Sequence, residues 1–318
     1  YVCVPLFHCF GVVLATMNCL THGCTQVMVE KFDPLVVLAS VHQERCTALY
    51  GVPTMFIAEL NHPMFDMFDL TCLRTGIMAG ALCPIELMRQ VSDKMHMTIT
   101  SVYGLTETSP LLGYAMHSWR KVGSFGKQVY NVQLKLHNVD PKTGEGEIVA
   151  KGPNVMLGYY KDPVRTKSVF TEDGWFRTSD IAVQDEKGRF YIKGRNSNMI
   201  LGPSGENIYP EEIENVLNNV EGVSESIVVE RNGRLVALVQ PMENYIDWDK
   251  EGEDKIYEKL DRWKKNILNI TNKSVNKSSQ VSSVEVMKEP FEKTATQKIR
   301  RFKYKESAPT VEEEVKNK

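Results

Sequence analysis

Few stretches of this sequence combine side chains that can do chemistry. Tyr103-Gly104-Leu105-Thr106-Glu107-Thr108 brings an aromatic ring, hydroxyls and a carboxylate into one short loop. A ring can stack on a base, a hydroxyl can donate to a phosphate oxygen, and a carboxylate can hold Mg²⁺. Read alone, a Tyr-Gly turn with a surface Glu is unremarkable. Trp175-Phe176-Arg177-Thr178-Ser179-Asp180 closes on a second carboxylate, a group suited to accepting two hydrogen bonds at once. Gly194-Arg195-Asn196-Ser197-Asn198, followed by Gly202-Pro203-Ser204-Gly205-Glu206, is built for a backbone that bends, and by propensity it is a surface linker. His8 lies among apolar residues and is as readily a packed core histidine as a ligand. Lys298 reads as one solvated charge in a basic run, for residues 259–305 hold 13 Lys/Arg against 4 Asp/Glu. Several chemistries are excluded. There is no Gly-x4-Gly-Lys-Ser/Thr phosphate loop, no Gly-x-Gly-x-x-Gly after a strand, no His-Glu-x-x-His and no Gly-x-Ser-x-Gly.

The elements that must position these residues change character along the chain. Up to about residue 110, strand-like and helix-like stretches alternate. Val27–Val29 reads as a short buried strand, Asp33-Pro34 as the N-cap and first turn of a helix to about Arg45, and Thr47–Tyr50 as a strand. Thr75–Met78 is a further strand, Pro84 opens a helix through Met95, and Thr98–Val102 leads into the Tyr103 loop. This βαβα rhythm predicts an α/β fold with a mostly parallel sheet flanked by helices, whose ligands gather at loops leaving the carboxyl ends of strands. From about 118 to 193, short strands around Asp140–Gly144 and Asp185–Gly188 turns predict a small antiparallel sheet or distorted barrel. Beyond the linker, Pro210 begins a helix with Ile213, Val216, Leu217 and Val220 on one face, ended by Gly222. Asn232-Gly233 joins Ser226–Glu230 to Arg234–Gln240 as a hairpin, and a second helix carries Ile256, Leu260, Trp263, Ile267 and Ile270. The expected division is 1–117 (part of a large α/β domain), 118–194 (a small β subdomain of it) and 195–318 (a mobile C-terminal α+β domain).

Composition agrees with a globular protein: 42% hydrophobic, 25% charged, with no apolar run long enough to cross a membrane. The net charge of −2 gives no reason to expect nucleic acid as a partner. All 7 cysteines fall in the first 83 residues without a Cys-x-x-Cys pair, which argues against a disulfide framework or zinc site. They read as small buried hydrophobes in a reducing compartment. The chain opens on Tyr1 within an apolar run, as a fragment would.

Taken in order, these motifs resemble those of acyl-CoA synthetases (fatty acid–CoA ligases) in the adenylate-forming ligase superfamily, over nearly the whole chain. Tyr103-Gly104-Leu105-Thr106-Glu107 is similar to the family's Tyr-Gly-x-Thr-Glu. Trp175–Asp180 resembles its Trp-x-x-Thr-Gly-Asp, whose Asp accepts from both ribose hydroxyls, with Ser179 in place of glycine. If that position needs φ > 0, Ser179 adds strain. Arg195 matches the hinge arginine that contacts the ribose, and Ser197 the pivot, where Asp or Lys is usual. Pro5–Gly11 resembles the segment that places His8 near the acyl pocket, and Ala79-Gly80-Ala81-Leu82 the small residues beside adenine and the acyl chain. Gly146-Glu147-Ile148 and Val155–Tyr159 match a motif assigned no chemistry. Glu292–Arg300 resembles the closing motif, in which Lys298 bridges carboxylate and phosphate, with Gln297 where glycine is usual.

The resemblance implies an AMP-forming acid–thiol ligase of lipid metabolism, using ATP, Mg²⁺ and coenzyme A on a fatty acid. Lys298, Thr106 and Glu107 would be catalytic, with Glu107 also the Mg²⁺ ligand. Gly80, Ala81, Tyr103, Gly104, Asp180 and Arg195 would bind nucleotide. After adenylation the small domain would rotate about Ser197, so that Gly205 and Glu206 frame the path of the thiol. The phosphate-binding loop of such enzymes would lie upstream of Tyr1. Two alternatives stay open: an aryl-acid or carrier-protein-loading enzyme, and an inactive nucleotide-binding fragment. A cytoplasmic protein is expected, with peripheral membrane placement left open; chain length of the acid and oligomeric state are not encoded in these motifs.

Overall fold

The computed structural model describes residues 1–81, 83–115, 121, 123–202, 205–242, 245–246, 253–294 and 298–305. Leu82, Pro203, Ser204, Ala295, Thr296 and Gln297 lie outside the described residues. The chain divides into two compact units, Tyr1–Asn196 and Ser197–Lys318.

In the first unit a π-helical stretch, Phe10–Met17, runs into α1 (Asn18–His22). Then come α2 (Pro34–Gln43), β1 (Ala48–Gly51), α3 (Pro53–Leu60), β2 (Thr75–Met78), α4 (Ile85–Met95) and β3 (Thr98–Gly104). The Asp33 carboxylate accepts from the Leu35 and Val36 amides, so α2 starts where a capping Asp and a first-turn proline dictate. β1, β2 and β3 pair in parallel, and β4 (Leu111–Tyr114) and β5 (Lys127–Gln128) extend the sheet antiparallel. Val37, Leu38 and Val41 of α2, Phe56 of α3, and Leu87, Val91 and Met95 of α4 bury against Leu49, Met78 and Ile99 of the strands. A second, antiparallel sheet holds β6 (Gln133–His137), β7 (Gly146–Lys151), β8 (Phe176–Gln184) and β9 (Phe190–Arg195), with α5 (Pro163–Ser168) between β7 and β8. Stacked rings join the two sheets: Phe125 packs on Tyr103 at 4.6 Å and on Phe190 at 5.5 Å.

Two expectations fail in this unit. Val27–Val29 is not a buried strand: it forms one bridge, Val2 to Met28, and Met28 is 57% exposed. The β-branched residues there promised a strand, but no second strand pairs along them. Nor are the cysteines uniformly buried. Cys3 and Cys46 are, Cys9, Cys19, Cys72 and Cys83 are half-buried, and Cys24 is exposed.

In the second unit β10 (Ile200–Leu201) and β11 (Asn207–Ile208) form a small hairpin before α6 (Pro210–Leu217). β12 (Val223–Arg231) and β13 (Arg234–Pro241) meet at Asn232 (φ 53°) and Gly233 (φ 72°), two left-handed residues that match the twist of a two-residue hairpin. α7 (Glu253–Ser274) leads to β14 (Ser283–Val286), which adds parallel to β13. The sheet is covered on both faces. Val228, Ala237 and Val239 meet α6 and α7, while Ile227, Val229 and Leu238 meet Met287, Phe291 and Tyr304. Hence the central segments 227–229 and 235–239 are apolar without alternation.

The helices of this unit depart from their expected stripes. α6 ends at Leu217, and Gly222 (φ 83°) lies past a turn rather than at its end. Its buried face is Pro210, Ile213, Glu214 and Leu217, so a carboxylate takes the place assigned to Val216, which is half-buried. In α7, Ile270 is 39% exposed and Thr271 is fully buried. A helix advances 3.6 residues per turn, and four residues beyond Ile267 the inward position is 271.

One buried acid in the first unit carries a prediction. Glu59 of α3 is 1% exposed, and its Oε2 lacks a hydrogen-bond partner among the described residues. Burial pushes this carboxyl well above the ordinary glutamate range. The folded state therefore keeps a proton that the unfolded chain releases, so stability falls as pH rises from the ordinary glutamate range toward the raised value. The slope in that window is about 1.4 kcal/mol per pH unit. Glu59→Gln is expected to match the wild type at acid pH and to outlast it increasingly toward neutrality, in urea unfolding across pH. Parallel pH profiles would show that Glu59 ionises freely in the fold.

Candidate functional site

Tyr103 stands at the end of β3, at the carboxyl edge of the parallel sheet, and the loop leaving β2 brings Gly80 and Ala81, both exposed, to that edge. Gly104 is required there because a Cβ would lie 1.7 Å from the Pro110 carbonyl oxygen. The Tyr103 hydroxyl donates to Asp180 Oδ2 at 2.7 Å, and Arg195 Nε donates to Asp180 Oδ1 at 3.1 Å. Asp180 is 5% exposed, whereas the Arg195 side chain is 46% exposed. Burial and the neighbouring Asp180 charge push the Tyr103 phenol well above its ordinary value, so it remains a neutral donor. Tyr103 and Arg195, distant from each other in sequence, thus converge on the Asp180 carboxylate. One face of the Tyr103 ring is already taken by Phe125.

Asp180 sits where β8 leaves its regular ladder. Opposite Ile148 alone, β8 places Thr178, Ser179 and Asp180, and Ser179 adopts φ 61°. That is the left-handed conformation glycine takes without penalty. The strain expected of a serine here is present.

Thr106 and Glu107 follow on a short 3₁₀ turn, Thr106–Thr108. Glu107 Oε1 accepts from the Tyr159 hydroxyl at 3.0 Å, and the Glu107 carbonyl accepts from the Met156 amide at 2.8 Å. Tyr159 in turn carries the Arg165 guanidinium 4.0 Å from its ring centre. It lines an open groove with Leu157, Tyr160, Asp162, Thr166 and Phe170. Val155–Tyr159 was assigned no chemistry, yet it holds Glu107 by side chain and backbone; nothing in its local spacing announces that contact. His8 Nδ1 accepts from the Phe10 amide at 3.1 Å, and Cys9 Sγ stands 3.8 Å from both His8 Nδ1 and Thr106 Oγ1. His8 and Thr106 are thereby neighbours through Cys9.

Ser197, Gly205, Glu206 and Lys298 belong to the second unit. Ser197 is exposed, and its neighbour Asn198 donates to Glu211 at 2.6 Å. The Gly202 amide donates to the Glu206 carbonyl and the Gly205 amide to that of Gly202, closing a turn with Gly205 at φ 83°. A Cβ at Gly205 would meet open space, so its requirement in this fold is conformational. Lys298 is exposed: its carbonyl accepts from the Thr294 amide at 2.8 Å and its amide donates to Thr294 Oγ1 at 3.2 Å. Three residues on, Arg301 forms a two-pronged ion pair with the buried Glu214.

Comparison with known proteins gives these residues a context. Residues 1–160 match the family model described as "AMP-binding enzyme". YngI of Bacillus subtilis (strain 168) is 47% identical over 225 residues, 67% of this chain and 40% of that protein. The mitochondrial medium-chain acyl-CoA ligase ACSF2 of Rattus norvegicus is 38% identical over 237 residues, 71% of this chain and 38% of that protein. Among solved structures, O-succinylbenzoate coenzyme A synthetase (MenE) from Bacillus subtilis, in complex with AMP, superposes with a TM-score of 0.75 at 25% identity, covering 97% of this chain and 60% of that one. The match spans about two-fifths of the length of those curated relatives. No helix among the described residues is long and apolar enough to cross a membrane. The chain belongs to the AMP-binding enzyme family, and the relatives it matches are acyl-CoA ligases.

Proposed function

We propose that this chain is part of an ATP-dependent ligase that joins a fatty acid to coenzyme A through an acyl-adenylate. The observation that carries the reading is Asp180: a buried carboxylate oriented by Tyr103 and Arg195, in a chain of the AMP-binding enzyme family. Two oxygens on one carboxylate suit the two hydroxyls of a ribose. In the first step a carboxylate oxygen of the acid attacks the α-phosphorus of ATP and pyrophosphate leaves. In the second, a thiol sulfur attacks the acyl carbonyl, losing its proton, and AMP leaves.

The residues divide this work. Asp180 and Arg195 hold the ribose, while Gly80, Ala81 and Gly104 let adenine approach without projecting bulk and Tyr103 supplies a ring beside it. The Thr106 hydroxyl donates to phosphate, and Lys298 offsets the negative charge that gathers as the two anions approach. Glu107, half-buried and oriented by a neutral tyrosine hydroxyl, fits a Mg²⁺ that takes one carboxylate and completes its shell with phosphates and water. When bound, that ion would neutralise phosphate charge. His8 lies toward the acyl group, Ser197 serves as the pivot, and Gly205 with Glu206 borders the thiol's approach.

The medium-chain ligase among the relatives and the small residues Ala79, Gly80 and Ala81 favour an aliphatic acid. The similarity to an O-succinylbenzoate ligase favours an aryl acid as the second reading. Full-length protein given ATP and CoA with octanoate, palmitate, benzoate or ferulate separates them. Thioesters of the aliphatic acids are expected; turnover of aromatic acids alone would overturn the substrate class.

A further inference from the structure

Asp180 is carried on a bulge, and the bulge raises an accounting question. Between the pairs Glu147–Ile181 and Val149–Arg177, β7 supplies one residue and β8 supplies three. The extra backbone amides cannot all reach a ladder partner, and a buried unpaired N–H is costly. Side chains answer for two of them. The Ser179 amide donates to Glu147 Oε1 at 3.0 Å, and the Asp180 amide donates to Thr178 Oγ1 at 3.1 Å. The Thr178 hydroxyl itself donates to the Ile148 carbonyl at 2.8 Å. Glu147 is anchored from its other oxygen: Arg177 Nε and Nη2 donate to Oε2 at 2.9 and 2.7 Å. The Glu147 side chain is 7% exposed, so this carboxylate is a fixed part of the sheet.

The bulge also contains a residue that resists its conformation. Ser179 at φ 61° lies in the left-handed region, where a residue with a side chain is strained. Such a residue persists only where its surroundings over-determine it. Here the surroundings are the Glu147 carboxylate on its amide and the Arg177 guanidinium behind that carboxylate. Relaxation of Ser179 would rotate the following peptide and draw the Asp180 carboxylate away from Tyr103 and Arg195.

We propose that Glu147, anchored by Arg177, is a positioning residue that holds the Ser179 bulge and thereby fixes the Asp180 carboxylate toward the ribose hydroxyls of the nucleotide. This rests on the proposed role of Asp180. It assigns a function to a residue of the Gly146-Glu147-Ile148 motif, to which the sequence gives no chemistry. It also explains how this chain tolerates serine at a left-handed position.

The test compares AMP with 2′,3′-dideoxyadenosine monophosphate, which lacks both hydroxyls, by calorimetric titration of the 318-residue chain. Wild type is expected to bind AMP the more tightly. Glu147→Ala is expected to lose about tenfold in AMP affinity, equivalent to about 1.4 kcal/mol, with less than about twofold change for the dideoxy analogue. Glu147→Gln keeps an acceptor oxygen for the Ser179 amide and should retain most of the preference. Adding Ser179→Gly to Glu147→Ala should restore it, since glycine takes φ 61° unaided. A merely structural loss would weaken both nucleotides together, and that result, or an unchanged preference in Glu147→Ala, overturns the proposal alone. A wild type that binds the two nucleotides equally overturns the role of Asp180 and the proposal with it. If Glu147→Ala does not fold, the double variant with Ser179→Gly and the Glu147→Gln variant decide. Retention of the preference by both supports the brace, and its loss in either folded variant overturns it.

Discussion

Arg301→Ala is expected to destabilise the second unit by about 3–5 kcal/mol, the cost of breaking a buried ion pair from one side. Glu214 is the reason. Its side chain is 8% exposed on the inner face of α6, where an apolar residue would be the ordinary choice. It accepts from the Val228 amide at 2.7 Å, tying α6 to β12, and its two oxygens take both prongs of the Arg301 guanidinium. Burial pushes the Glu214 carboxyl up, and Arg301 pulls it back toward ionisation. Without Arg301 the carboxylate would have to stay charged in a dry site or take up a proton, and both cost free energy. The loss should therefore be larger at neutral pH than under acid conditions, where the orphaned carboxyl is already protonated. Replacing both partners, Glu214→Leu with Arg301→Met, should cost less than either single change, because no buried charge is left behind and the remaining loss is the acceptor of the Val228 amide. Urea unfolding followed through Trp263, which is buried in this unit, measures it. A loss below about 1 kcal/mol, as for an exposed pair, would mean that the site relaxes and admits water.

What was legible in the sequence was local. Asp33-Pro34 announced the start of α2, Thr75–Met78 is β2 residue for residue, and Asn232-Gly233 forms the hairpin turn. In each case the signal and the structure it specifies lie within a few residues of one another. The left-handed Ser179 was legible only against a family pattern that has glycine there, because a serine alone carries no mark of φ > 0. The misses have a common cause. Glu214 breaks the apolar stripe of α6 because its partner lies 87 residues away, and α7 buries Thr271 rather than Ile270 because the neighbouring sheet decides which side of a helix faces inward. Glu147 and Tyr159 looked structural because the residues they hold, Ser179 and Glu107, are 32 and 52 residues distant. Side-chain pairings across such separations follow from the fold and leave no periodicity to read. The candidate site could be named from residue types and a family pattern; the supports that aim those residues could not.

Lys298→Ala, made in the full-length protein, is expected to slow acyl-adenylate formation by roughly 10²–10³-fold, as removal of one charge-stabilising donor does. The acid and the α-phosphate are both anionic, so charge concentrates as they approach, and a cation placed there acts in the transition state more than on either ground state. The expectation concerns one half-reaction. Once the adenylate exists, the carbonyl under attack is neutral and the lysine has no anion pair to bridge, so thioester formation from supplied acyl-adenylate should hardly change. The surrounding fold makes the test clean. Lys298 is exposed, and its backbone bonds with Thr294, carbonyl to amide and amide to Oγ1, survive the substitution. Urea unfolding of the variant beside the wild type separates a lost first step from a lost fold. Lys298→Arg keeps the charge but spreads it over a planar group on a different stem, and it should recover only part of the rate. Single-turnover measurement of each half-reaction separates the outcomes. Equal losses in both steps would make Lys298 a general binding charge, and no loss in either would return it to the solvated basic run in which it stands.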